Sequence, residues 1–398
     1  MKKKAVLICT ESLPAPAVKG GAIQMFIDGT APFAAAALDL TVCSITDPSL
    51  PENEVQNGIR YVRFPKEVYT ESVAAHLTEE DYDFAHVFNR PLDFLTYADA
   101  APRTQFVLGL HNDMLAPEKI SAEDGERVIE SAAGIVTISN FIRKKVTERF
   151  PEAEGKTRVV YSGVDLGLFP DRKSEEGTLL RNIYRKRYGV ENRTVVLFAG
   201  RLSRNKGPHI LMDALIPLLS KYPDLVLMVA GGKWFSDDGM NRYTRKLQWK
   251  AAKLKGRVIF TGFVPAHLIG NLFLAGDIFV CPSLWEEPLA RVHYEAMAAG
   301  IPVITTDRGG NGEVVLHRQN AWLISDCMNP VLYTEAIDYC LQNPSFTSVL
   351  TENGRTLVET AFQFRHAAER LLDAWRFFGL ISMAERSASP ETNPLDDT

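Results

Sequence analysis

Short, continuous runs of Val, Ile and Leu recur along this chain, and helical stretches separate several of them. In the first half the runs are AVLIC (5–9), LTVCSI (40–45), IRYVRF (59–64), FAHVFN (84–89), QFVLGL (105–110), IVTIS (135–139) and RVVYS (158–162). A polar, basic stretch (170–193) interrupts them. The pattern then restarts with TVVLFAG (194–200), LVLMVAG (225–231), RVIFTG (257–262), DIFVCP (277–282), PVITT (302–306) and AWLI (321–324). Uninterrupted apolar runs belong to strands buried on both faces, and helical connections make such a sheet parallel. The pattern predicts an α/β protein with two doubly wound domains facing each other across a cleft. At roughly 100–200 residues per domain, 398 residues hold about two. The expected boundary lies near residue 175.

Local signals place the helices. One begins at Ala22, and another, NFIRKKVTERF, has Ser139 as its N-cap. After residue 330 the pattern is helical over about 330–342, 346–360 and 363–379. The final stretch, SASPETNPLDDT, is polar, acidic and Pro-containing, and disorder is expected over 381–398.

The net charge of −5 offers no bulk attraction to nucleic acid or anionic lipid, so an anionic ligand must be held by local groups. The cysteines Cys9, Cys43, Cys281, Cys327 and Cys340 show no metal spacing, and buried free thiols in a reducing compartment are expected. MKKKAVLIC resembles an export signal, but its apolar run is short and is followed by an acid and a proline, so it reads as a first strand. No stretch of about 18 apolar residues suggests a membrane span.

Five places carry residues suited to chemistry. In GRLSRNKGPHIL, Arg201 and Lys206 follow a strand end and precede a helix, which suits an anion site as well as a solvated basic turn. In SLWEEPLARVHYEAMAAG, a helix is expected from about Pro288 to Ala299, with Gly300 at its C-cap. Glu287 then precedes the helix beside the amides of residues 289–291. Glu295 lies two turns down on a largely apolar element, where a carboxylate needs a partner. Otherwise the two are a dipole-paired acid and a surface glutamate. The glycines of RGGNGEVV (308–315) permit close approach to a ligand, and Gly20 and Gly21 form a flexible loop before a helix. His111, at a strand end, is either functional or a surface residue. DYD (81–83) directly precedes a strand and reads as ordinary acids there, not as a metal site.

Taken together, YSGVDLGLF (161–169), FAGRLSRNKG (198–207), VIFTGFV (258–264) and DIFVCPSLWEEPLARVHYEAMAAGIPVITTDRGGNGEVV (277–315) resemble the retaining family 4 glycosyltransferases of the GT-B fold. GGAIQ (20–24) and VTISNFIRKKV (136–146) also fit, and the resemblance spans about 4–380. It implies two Rossmann-like domains, 1–175 on the acceptor side and 176–362 on the nucleotide-sugar side, with a helix near 363–380 packing back on the first. It implies transfer of a sugar from a nucleotide-diphosphate sugar to a glycan, protein or small-molecule acceptor, with no cofactor and no metal.

By the resemblance, Arg201 and Lys206 hold the diphosphate, Glu287 binds sugar hydroxyls and Glu295 binds the ribose. Amides near Leu289, Ala290 and Arg291 face sugar and phosphate. Gly20 and Gly21 let a loop close over the donor, and His111 sits by the reacting carbon. The chain departs from the common pattern at Leu289 and Ala290, where many members carry Phe-Gly, and at Arg291 and His293. Its nearest resemblance is to a spore coat member of the family. That implies synthesis in the cytoplasm, deposition in the coat and other spore coat proteins as partners. A non-catalytic coat or assembly protein on the same fold is the alternative, and an epimerase or phosphorylase fits the motifs less well.

Overall fold

The structure is a computed structural model that describes residues 2–232 and 239–382. Contacts divide the chain into two units, one of residues 1–163 with 364 onward, the other of residues 164–363.

The first unit is built on an eight-stranded sheet: β1 (Lys4–Ile8), β2 (Asp39–Ile45), β3 (Asn53–Gln56), β4 (Ile59–Phe64), β5 (Phe84–Phe88), β6 (Gln105–Leu110), β7 (Gly134–Thr137) and β8 (Thr157–Val159). The order is β3-β4-β2-β1-β5-β6-β7-β8, parallel except for the antiparallel pair β3–β4. Strand order reverses between β1 and β5, and in such sheets ligands bind at the reversal, outside the carboxyl ends of the strands. Alternate residues feed opposite faces: Val6 and Ile8 join one apolar core, while Ala5 and Leu7 join the other. Strand β3 was not expected, because NEVQ has no apolar run; it is a mostly exposed edge.

Helix Phe364–Phe377 completes the second of these cores. Its Trp375 is fully buried, and the indole Nε1–H donates to His86 Nδ1 at 3.2 Å. Gly29, on helix Ala22–Ala37, allows the Phe364 ring to approach, since a Cβ there would lie 2.2 Å from it. Ile381, assigned from sequence to a disordered tail, is buried in the same core; residues 383–398 lie outside the described residues.

The second unit holds a six-stranded parallel sheet: β9 (Thr194–Ala199), β10 (Leu225–Ala230), β11 (Val258–Gly262), β12 (Ile278–Cys281), β13 (Val303–Thr306) and β14 (Trp322–Ile324). The order β11-β10-β9-β12-β13-β14 places its reversal between β9 and β12.

Residues 164–175 pack with this unit rather than with the first, contrary to a boundary near 175. Phe169 meets Phe273, and Arg172 reaches Asp277 at 2.9 Å. The basic stretch that follows is no linker. Ser174 caps helix Glu175–Arg187 by accepting from the Gly177 amide. Arg181 and Arg185 then reach Asp277 and the carbonyls at the end of helix Ala266–Ala275, where cations suit the helix dipole.

Candidate functional site

The second sheet's reversal sets two loops side by side. One leaves β9 and carries Arg201 and Lys206. The other leaves β12 and carries Ser283 and Glu287. The first loop ends in a short turn at 204–206 and a left-handed Gly207, with φ 70°, before helix Pro208–Leu215. A Cβ on Gly207 would lie 2.0 Å from the Pro282 carbonyl oxygen, so only glycine lets the loops meet this closely. The Leu284 amide donates to the Asn205 carbonyl at 2.7 Å and fixes the approach.

The meeting of the loops pairs Lys206 with Glu287. The ammonium donates to Glu287 Oε1, which also accepts from the Ser283 hydroxyl at 2.6 Å. Glu287 is only 3% exposed. Burial pushes its carboxyl up, but the Lys206 charge and the hydrogen bonds outweigh that and hold it below the ordinary glutamate value. Ser283 is a positioning residue that sequence reasoning missed. Its signal was a hydroxyl two residues past a strand and four before an acid.

The helix that follows is shorter than expected, Val292–Ala298, and Pro288 to Arg291 lie before it. Loop residue Asn311 engages the segment ahead of the helix. Its Oδ1 accepts from the Ala290 amide at 3.3 Å, so that amide has a partner within the protein. Leu289 and Ala290 are buried beside it in sequence. Gly300, with φ 67°, closes the helix through the Gly300 amide to Met297 and the Ile301 amide to Ala296.

Within the stretch 308–315, Gly309 and Gly310 also serve the packing of the protein itself. Gly309 has φ 60°, and a Cβ there would lie 2.0 Å from the Glu287 carbonyl oxygen, which also accepts from the Gly310 amide at 2.8 Å.

Glu295 is 7% exposed, with Arg291 at 3.6 Å. Burial raises its carboxyl above the ordinary glutamate value, and the Arg291 charge only partly offsets this. It lines a cavity of about 180 Å³ with Gly200, Arg201, Gly231, Gly232 and Val292. His293 turns away into the protein. It is fully buried, its Nε2 lies 2.7 Å from Thr305 Oγ1, and burial pushes it down to about 4, so it is neutral near pH 7. Thr305 itself donates to the Cys281 carbonyl, which leaves His293 Nε2 as the donor.

Gly20, Gly21 and His111 belong to the first unit, at the carboxyl ends of β1 and β6. The loop before Gly20 is held at several points: Ala15 and Ala17 amides donate to Ser44 Oγ and Asp28 Oδ2, and Gln24 Nε2 donates to the Leu13 carbonyl. Gly20 and Gly21 have φ 76° and 105°. The His111 amide donates to Asn89 Oδ1 at 2.7 Å, and its ring meets Phe26 and Phe88 edge-on, so it is no surface residue. The acids of DYD are engaged locally, Asp83 with the Lys4 amide and Asp81 with Arg103. All five cysteines are buried and free.

Comparison with known proteins accounts for this arrangement. Residues 181–357 match the model described as glycosyl transferases group 1, and residues 31–168 match that of glycosyltransferase family 4. The chain is 50% identical to the putative glycosyltransferase YtcC of Bacillus subtilis over 368 residues, 92% of this chain and 90% of that protein. It is 43% identical to spore coat protein SA of the same organism, over 94% of this chain and 99% of that one. Its fold matches the crystal structure of Anabaena Alr3699/HepE in complex with UDP-glucose, with a TM-score of 0.76 at 24% identity over 94% of this chain and 99% of that one. One parallel and one almost wholly parallel sheet, a loop pair at the second sheet's reversal and matches along both halves agree: the chain belongs to the family 4 glycosyltransferases of the GT-B fold.

Proposed function

We propose that the chain is a retaining glycosyltransferase that takes a hexosyl group from a nucleotide-diphosphate sugar. The observation that carries this reading is the cavity at the ends of β9 and β10, where a buried carboxylate, Glu295, faces a space edged by glycine backbone and Arg201. A carboxylate held above its ordinary value by burial gains most from donors, and ribose hydroxyls supply two. Arg201 and Lys206 then oppose the charge that grows on the diphosphate as the sugar–phosphate bond breaks. Glu287, steadied by Ser283, takes the sugar hydroxyls. The acceptor oxygen bonds to the same sugar carbon, and its proton passes to the departing diphosphate. No cofactor or metal is invoked. Leu289 and Ala290 shape the sugar end, and Gly20, Gly21 and His111 are the candidates on the acceptor-side unit. That a structure of the same fold is of a complex with UDP-glucose supports a nucleotide-sugar donor, and the likeness to a spore coat protein supports coat or surface glycan assembly in the cytoplasm or coat, with other coat proteins as partners.

The test is a thermal-shift panel of uridine, guanosine and adenosine diphosphates, followed by calorimetry on Glu295→Gln. One nucleotide should stabilise the wild type. Glu295→Gln should bind it on the order of tenfold to a hundredfold more weakly, as loss of hydrogen bonds to a charged group implies. The variant leaves the buried Arg291 without its carboxylate partner, so a melting curve first establishes that it folds. No shift with any nucleotide would sink the reading and favour a non-catalytic coat protein. An inverted anomer in the product would remove retention.

A further inference from the structure

From residue 239 to 276 the chain has no Asp or Glu, although its net charge is −5. Helix Arg242–Lys253 lies in this stretch and forms for clear local reasons. Asn241 accepts from the Tyr243 and Thr244 amides, and the Thr244 hydroxyl accepts from the Asn241 amide at 2.8 Å, a reciprocal cap. The helix buries Thr244, Leu247 and Ala251 and sends its other face to solvent.

That outer face carries cations and no acid. At roughly 100° per residue, Arg242, Arg245, Lys246 and Lys253 all fall within about 60° of Trp249 around the axis. All four are exposed, and Trp249 is 66% exposed, unusual for the largest apolar side chain. Lys253 lies over its ring, 3.4 Å from the centroid. Among the described residues, no ion pair engages Arg242, Arg245 or Lys246, while Lys250, at the edge of the face, pairs with Asp213.

We propose that this face docks on an anionic phospholipid bilayer, lying flat on its surface. Cations answer the lipid phosphates, and an amphipathic indole suits the boundary between headgroups and acyl chains. Four cations around an indole also suit a nucleic acid, but one aromatic is no platform for successive bases, and the face is a convex helix rather than a groove. Among the described residues no helix is long and apolar enough to cross a membrane, and docking here requires none. This inference is independent of the donor-site reading.

The full chain is to be sedimented with phosphatidylcholine vesicles, with and without added phosphatidylglycerol. Binding should appear only with the anionic lipid and weaken with salt. The triple variant Arg242→Gln, Arg245→Gln, Lys246→Gln should partition on the order of a hundredfold more weakly, from the contribution of each cation near a charged surface. Trp249→Phe should still bind but lose the blue shift of tryptophan emission seen on binding. Circular dichroism melting establishes that both variants fold. Equal sedimentation of wild type and triple variant, or no preference for the anionic vesicles, overturns the proposal. So does patch-dependent binding to single-stranded DNA without binding to vesicles.

Discussion

Glu287 shows how one residue's setting depends on its neighbours. With its carboxyl held below the ordinary value of 4.5, it favours the folded state above that pH, and the contribution is lost as pH falls through the depressed value. Lys206→Met removes the main lowering influence and leaves burial to push the carboxyl up. The sign then reverses: the variant's stability from this group falls as pH rises. At neutral pH an unpaired buried charge should cost on the order of 3–5 kcal/mol. Melting temperature against pH for both proteins checks this, and parallel curves would refute the pairing. Turnover should drop by about two orders of magnitude or more, as on loss of one preorganised donor. Each partner was readable in the sequence as a candidate, yet their pairing was not. They stand 81 positions apart, and only the strand order around β9 and β12 brings them together. Ser283 escaped for the same reason, since a serine four residues before an acid gains meaning only once its acceptor is known.

At the scale of elements, periodicity was a good guide where burial sets the pattern. The thirteen strands expected from apolar runs are all present with small shifts at their ends, and helix Asn140–Arg149 has its Ser139 cap. It failed where backbone geometry decides. NEVQ became an edge strand through pairing alone. The helix expected from Pro288 starts at Val292, with a loop asparagine holding the Ala290 amide ahead of it. Glycines are the sharpest case, because sequence shows that they allow closeness but not to what. Gly58 and Gly309 both have positive φ, yet a Cβ on Gly58 meets nothing within 4 Å, while one on Gly309 runs into Glu287. Gly58→Ala should therefore cost only about 1 kcal/mol of local strain. Gly309→Ala should cost at least about twice that, since overpacking adds to strain, and it should also weaken nucleotide binding. Urea unfolding and calorimetry on the two variants make the comparison; equal costs would mean that the 309–310 turn yields freely.

For the whole molecule, each unit has its own core, so unfolding need not be a single transition. Trp375→Ala removes the largest fully buried side chain from the first unit and should cost about 3–5 kcal/mol. Calorimetry should show one transition moving down while the other, and its response to nucleotide, stays in place. Movement of both would mean that the units melt as one. The twofold architecture was legible because the same buried-strand pattern occurs on both sides of residues 170–193. The side to which 164–175 belong was not, because it rests on the contacts of Phe169 and Arg172. The chain's path has a consequence for synthesis. Residues 164–363 form a contiguous unit that can close as soon as it leaves the ribosome, whereas the sheet of β1 to β8 must wait for Phe364–Phe377. That sheet is thus covered late, and during the interval its apolar face is the part of the nascent chain most in need of a chaperone.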